Sequence, residues 1–431
     1  MSENHSRDAA ARRTFLKQAA AASLAALAAG GGKNETAAAA DDNQHKPPAD
    51  LPHALNPTSG DLGSLYRDLD ALAEQNHYAY SWLGDHFASF AEFQQAGRDK
   101  VFELLDYRPQ AVAPRAEVVD RQDLGDYVRE KVVFSTSPQF RVPAYVLIPK
   151  GLREPAPAVV DLHSHGGMFL FGKEKVVDLG ANHPVMTRYH ERNYESRPTS
   201  TELVRRGYVV ITIDAFMFGE RRLMMDADLK YGWDRSKYSE QDAAHLNGRC
   251  RAKESTLAKS MVFAGGTWPG VVFRDDLRTV DYLVTREEVD AERIGCCGVS
   301  MGGYRTLYLA ALDPRIKAAC VVGFMSTVRP MLQAHIDTHS WVHFLPGLHR
   351  WLDLPDVAAL HAPQPLMVQQ CRQDGLFTLE GMRQSLEQIA ASYKKAGAAD
   401  RFVGRMVDVP HTFNRAMQDD CFAFFDRWLG K

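Results

Sequence analysis

Gly298-Val299-Ser300-Met301-Gly302 fits G-x-S-x-G and lies between a buried apolar run and a helical one. A serine on a sharp strand-to-helix turn takes a strained backbone, so the residues two before and two after it must lack bulk for the turn to close. The following helix points free N–H groups at the site and favours negative charge there. Ser300 is therefore the candidate nucleophile, and it needs a base. His411, in Val409-Pro410-His411-Thr412-Phe413, follows the last apolar strand, where a loop can return to the turn. Asp374, in Gln373-Asp374-Gly375, follows the strand before it and is the candidate acid that fixes the imidazole tautomer. Glu380, Asp353 and Asp356 are its rivals. A developing oxyanion needs backbone donors. Met301 offers one, and His165 or Gly166, in Asp161-Leu162-His163-Ser164-His165-Gly166-Gly167, offers the other.

Other histidines raise the question of a metal. His163 and His165 stand at i, i+2 without a clustered carboxylate or third histidine. His335, His339 and His343 repeat at i, i+4, i+8, which would line one face of a helix. They read as pocket or core histidines rather than zinc ligands, so a metal is not expected. Six cysteines in a chain of this size make no disulfide framework. Cys296, Cys297 and Cys320 lie in apolar runs and Cys250, Cys371 and Cys421 are scattered, so free thiols are expected.

The elements that must hold these residues follow from periodicity. Apolar spacing is helical from Leu62 to Leu105. Strands are expected at Tyr127 to Phe134, Val142 to Ile148, Ala158 to Leu162 and Tyr208 to Ile213, the last two apolar enough for burial on both faces. Residues 215–265 break the rhythm as an insertion with one helix near Ala243 to Met261, and residues 325–361 form a second insertion. Both would roof the strand ends, and Trp233, Tyr238, Trp268, Trp341 and Phe344 offer stacking surfaces there or fill the core. Strands at Arg293 to Val299, Ala318 to Gly323, Leu366 to Gln370 and Phe402 to Val407 alternate with helices at about Phe273 to Thr285, Tyr304 to Leu312, Gly381 to Ala396 and Asn414 to Leu429. That alternation predicts an α/β fold with a mostly parallel sheet covered on both faces.

The chain has 431 residues, with 51 basic and 54 acidic side chains, net charge −3 and 45% apolar content. This is globular composition, with no basic run for nucleic acid. Arg12-Arg13-Thr14-Phe15-Leu16-Lys17 precedes an alanine and leucine stretch from Ala19 to Ala29, similar to a twin-arginine export signal and too short to span a bilayer. Residues 1–40 are thus expected to be a signal peptide, 41–60 a tether, and 61–431 one catalytic domain with a helical extension at 61–125. A periplasmic or secreted protein without a stable membrane anchor follows. Oligomeric state is not legible.

Taken with the run from Tyr127 through Gly167, the segments Asp214-Ala215-Phe216 and Phe218-Gly219-Glu220-Arg221, and Ala362-Pro363-Gln364-Pro365-Leu366, these motifs resemble the α/β-hydrolase superfamily. The branch they look like is that of dienelactone hydrolases and bacterial acetyl xylan esterases. The resemblance covers most of the chain after the signal. It implies an α/β-hydrolase fold and a cofactor-free ester hydrolase using Ser300, Asp374 and His411, with a small-molecule or carbohydrate ester as substrate. Dienelactone hydrolases proper carry cysteine at the elbow, so the serine here points away from their substrate. A prolyl oligopeptidase-like peptidase shares the order serine, acid, histidine. Its propeller of repeats has no room ahead of the sheet, because only a short helical stretch separates Asp41 from it. A binding protein on a retired scaffold is the third reading, and an intact triad argues against it.

Overall fold

The computed structural model describes residues 60–430 except Trp233. The signal peptide assigned to 1–40, the tether apart from Gly60, and Trp233 lie outside the described residues. Ten helices occur in order among them: α1 (Tyr66–Glu74), α2 (Phe90–Leu105), α3 (Pro184–Tyr194), α4 (Thr199–Arg205), α5 (Glu240–Phe263), α6 (Trp268–Leu283), α7 (Met301–Leu312), α8 (Leu354–Ala359), α9 (Leu379–Lys395) and α10 (Arg415–Trp428). Nine strands interleave with them: β1 (Glu117–Asp123), β2 (Tyr127–Ser135), β3 (Arg141–Pro149), β4 (Ala156–Asp161), β5 (Val209–Ile213), β6 (Val289–Val299), β7 (Ile316–Val322), β8 (Leu366–Cys371) and β9 (Phe402–Val407).

One sheet runs β1-β2-β3-β5-β4-β6-β7-β8-β9. The first three strands are antiparallel to their neighbours, and β5, β4 and β6 through β9 are parallel to one another. The parallel part explains its own sequence. Helices cover both faces there, so β4, β5 and β8 are buried at every position, and their stretches Ala158–Val160, Val209–Ile211 and Leu366–Val368 are continuously apolar rather than alternating. Each fully buried valine or isoleucine in them contributes roughly 1.5–3 kcal/mol relative to exposure.

Two features differ from expectation. The stretch from Leu62 to Leu105 is not one helical run: α1 and α2 are separated by an irregular segment, and Trp82 and Phe87 pack from that segment against Phe93 of α2. The segment 61–125 also contains β1, whose residues are all exposed because it is the outer edge of the sheet. Elsewhere the elements lie close to their expected places, α5 beginning at Glu240 and α6 at Trp268, ahead of the expected starts. Proline after the Thr267 cap allows that earlier start for α6. All six cysteines are buried and free.

Candidate active site

The parallel strands end on one edge of the sheet, where order reverses around β4 and loops from β4, β6, β8 and β9 converge. Ser300 is the first residue beyond β6, with φ 61° and ψ −126°, a left-handed conformation that a serine adopts only under constraint. Its N–H donates to Val322 O at 2.9 Å, which ties the turn to β7. The flanking glycines have a steric cause. A Cβ on Gly302 would stand 1.9 Å from Leu162 O, and one on Gly298 would stand 2.4 Å from the same oxygen and 2.8 Å from Gly302 Cα. The turn is therefore pressed against the loop that leaves β4.

His411 follows β9, and its ring is held by Asp374 after β8: Nδ1–H donates to Asp374 Oδ2 at 2.5 Å. Asp374 is buried, and its second oxygen accepts Leu376 N–H at 2.9 Å. The loop after His411 is pinned by Phe413 N–H and Thr412 Oγ1–H, both donating to Asn193 O. With Nδ1 so occupied, Nε2 is left for the cavity. His411 and Ser300 line one cavity of about 450 Å³, with His165, Gly166, Phe324, His339, His343 and Phe377 among its other walls. The described residues show no hydrogen bond between the His411 ring and Ser300, and such bonds commonly tighten only with substrate bound.

Of the acid rivals, Asp353 and Asp356 are buried elsewhere, capping α8 and meeting Ser81 of the N-terminal segment. Glu380 bonds Gln384. The expected oxyanion donors are brought together, since Met301 opens α7 and His165 and Gly166 lie on the loop against the elbow. The N–H groups of His165 and Gly166 make no hydrogen bond among the described residues.

The row His335, His339 and His343 departs from a helix face. This segment is a chain of 3-10 turns, broken at His335 by φ 79°, so the i, i+4 geometry is lost. His339 Nδ1–H donates to His335 O, His343 packs on Tyr304 and Phe324, and only these two of the three line the cavity. Burial holds both rings below the usual histidine pKa. Among the described residues no group of three or more His, Cys, Asp or Glu side chains is placed to hold a metal. His163 and His165 are instead bound by protein groups. His163 accepts Ala215 N–H and donates to Ser164 O. His165 Nδ1 accepts Gly167 N–H, which puts its proton on Nε2, facing Glu254 Oε1 at 2.7 Å. Burial lowers the pKa of His165 and Glu254 opposes that shift. Trp268 and Tyr238 are core residues, whereas Trp341 and Phe344 are exposed beside the cavity wall.

Sequence reasoning missed the second layer of the site. Glu254 and Asn247 on α5 hold the loop after β4, Asn247 by accepting Phe169 and Leu170 N–H. Lys173 and Lys175 lie beneath it. Lys173 pairs with Asp214 and Glu220, and its pKa is raised: burial works against the charge, but Asp214 and Glu174 outweigh it. The only signal in the sequence was a charged run, Lys173-Glu174-Lys175, directly after an apolar loop. On the far side, a groove of about 580 Å³ shares Gly166 and His411 with the cavity and is lined by Arg188, Arg192 and Glu240.

The model of the Abhydrolase family matches residues 69–409. YtaP of Bacillus subtilis (strain 168), named as a hydrolase, is 27% identical over 334 residues, covering 77% of this chain and 98% of that protein. Among solved structures, a Bacteroides fragilis protein described as an acetyl xylan esterase has a TM-score of 0.61 at 19% identity, covering 79% of this chain and 82% of that one. A glucuronoyl esterase from Solibacter usitatus has 0.56 at 14%, covering 83% and 98%. At these identities the structural likeness establishes the α/β-hydrolase fold.

Proposed function

Because the chain belongs to the Abhydrolase family, we propose that it is an exported serine ester hydrolase that removes short acyl groups from carbohydrate-type alcohols. The observation that carries this is Ser300, held in a strained turn at the start of α7, in one cavity with a histidine whose Nδ1 lies 2.5 Å from a buried aspartate oxygen. His411 Nε2 takes the proton from Ser300 Oγ as that oxygen attacks the ester carbonyl. The oxyanion accepts from Met301 N–H and from His165 or Gly166 N–H. As the intermediate collapses, the imidazolium gives its proton to the leaving alcohol. Water, deprotonated by His411, then attacks the acyl-enzyme and releases the acid.

The apolar walls Phe324, Leu376 and Phe377 suit a small acyl group. A carbohydrate alcohol is supported by the esterases that share the fold. Export rests on the paired arginines ahead of the apolar stretch. None of the described helices is long and apolar enough to cross a membrane.

The test compares the protein with Ser300→Ala, in the presence of chelator, on p-nitrophenyl acetate, longer acyl esters and a chromogenic prolyl peptide. Hydrolysis of the acetate that resists chelator and falls by about 10³-fold or more in the variant is expected. Undiminished turnover by the variant, or cleavage of the peptide instead, overturns the assignment.

A further inference from the structure

A buried amine beneath the active-site loop takes no part in the triad. Lys175 has 0% exposure. Its Nζ donates to Ser164 O at 2.7 Å and to His165 O at 2.9 Å. The rings of Phe218 and Tyr189, with centroids 4.4 and 5.8 Å away, close the cage. Among the described residues no carboxylate forms an ion pair with it. Burial pushes its pKa well below the usual lysine value, Asp214 and Glu174 oppose that shift only from longer range, and Lys173 is the amine they bind. A methionine would fill this cage without the cost of burying a polar amine, so packing alone does not explain a lysine here.

What the amine touches supplies the explanation. Ser164 O and His165 N–H belong to one peptide group, and His165 O and Gly166 N–H belong to the next. Both oxygen ends are doubly bonded by donors: His163 Nδ1 joins Lys175 on Ser164 O, and Met168 N–H joins it on His165 O. Both N–H ends are free of protein partners among the described residues. A donor bonded to the oxygen of a peptide group draws electron density along it and makes its N–H a stronger donor.

We infer that Lys175 is a positioning residue for the oxyanion, clamping and polarising the two peptide groups whose N–H bonds are available to the developing negative charge. The inference rests on the ester-hydrolase reading above. It predicts an effect on the transition state and not on substrate binding.

The test uses Lys175→Met, with Lys175→Gln as a second variant that keeps an N–H donor on a shorter side chain. Substrates are p-nitrophenyl acetate and its thionoacetate, in which sulfur replaces the carbonyl oxygen and accepts hydrogen bonds poorly. Lys175→Met is expected to lower kcat on the acetate by roughly tenfold with KM little changed, and Lys175→Gln to fall between it and the parent. The loss on the thionoacetate should be small, so the oxygen-to-sulfur rate ratio shrinks. A purely structural lysine would lower both rates equally, and an unchanged ratio overturns the inference. Should neither variant fold, the parent protein still decides. His165-Gly166 is the only His-Gly pair in the chain, so ¹³C-carbonyl histidine with ¹⁵N-glycine isolates one amide signal. That proton must move downfield when an alkylboronic acid adds to Ser300, and a stationary signal overturns the inference. A parent protein that hydrolyses neither ester overturns the ester-hydrolase reading as well, whereas normal parent turnover with an unchanged ratio overturns Lys175 alone.

Discussion

Asp374 offers the sharpest test at the scale of single residues. Its carboxylate is buried, accepts one backbone N–H, and meets the Nδ1 proton of His411. Asparagine has nearly the same shape but presents an amide whose donor end can force the other imidazole tautomer, leaving Nε2 protonated and unable to take a proton from Ser300. Asp374→Asn is therefore expected to keep the thermal midpoint close to the parent's while kcat for an aryl acetate falls by about 10³- to 10⁴-fold. Burst kinetics with stopped-flow detection would show the loss in acylation, and a variant retaining a tenth of parent activity would refute the role. The three positions proposed as the triad are legible in the chain as candidates, because each stands at a strand end and the elbow carries a short steric code. Glu254, Asn247 and Lys175 were not legible. Nothing local marks a glutamate in the middle of a helix or a lysine in a charged run, since their role comes from long-range contacts such as Glu254 to His165.

Among the elements, α5 is the one whose position matters most to the site. Its face carries Asn247 and Glu254 onto the loop after β4, so the helix within the first insertion holds that loop in place. Glu254→Ala would remove the acceptor for the His165 Nε2 proton and leave a buried donor unpaired, at a cost of about 1–3 kcal/mol. Glu254→Gln can keep that bond through its carbonyl. The alanine variant is expected to lose roughly tenfold in kcat and several degrees of thermal stability, and the glutamine variant to remain within about threefold of the parent. Equal behaviour of the two in steady-state assays would show that the contact does not position the loop. Elements buried on both faces, such as β4 and β5, announced themselves by composition. The edge strand β1 did not: Glu117, Asp120, Arg121 and Asp123 face water, and the strand is held to β2 by backbone bonds and polar side-chain contacts such as Arg121 to Glu130, so no apolar alternation marks it. The second insertion misled in the opposite way, its regular histidine spacing suggesting a helix where glycine, proline and a left-handed His335 impose separate turns.

Across the whole molecule, buried ionisable groups set a pH dependence of stability whose sign follows from two opposed populations. Burial lowers the pKa of His163, His165, His190, His339 and His343 and takes His349 and His361 to about 4. Such rings are neutral when folded but bind protons when unfolded below the usual 6.5, so the stability present above that pH is lost as pH falls. Asp353 and Asp356 act the other way. Burial raises them to about 7 and about 6, so the folded chain holds more protons than the unfolded one between their ordinary 3.8 and those values, and their contribution grows as pH falls. Between pH 8 and 5.5 these two and Asp161, which burial likewise raises to about 6, add about 4 kcal/mol, while His349 and His361 together cost about 3. The five other histidines then decide the outcome. Glu220, lowered to about 2 chiefly by Lys173 against the opposing effect of burial, titrates below this window. The thermal midpoint is thus expected to be higher at pH 8 than at pH 5.5. Asp353→Asn removes the largest of these carboxylate contributions, which amounts to about 2 kcal/mol over this range. Its midpoint should fall further on acidification than the parent's, by a few degrees. Calorimetry of both proteins at the two pH values measures this directly. A parent more stable at pH 5.5, or an Asp353→Asn variant with a shallower fall, would mean that the buried carboxylates and not the buried histidines govern how this molecule responds to acid.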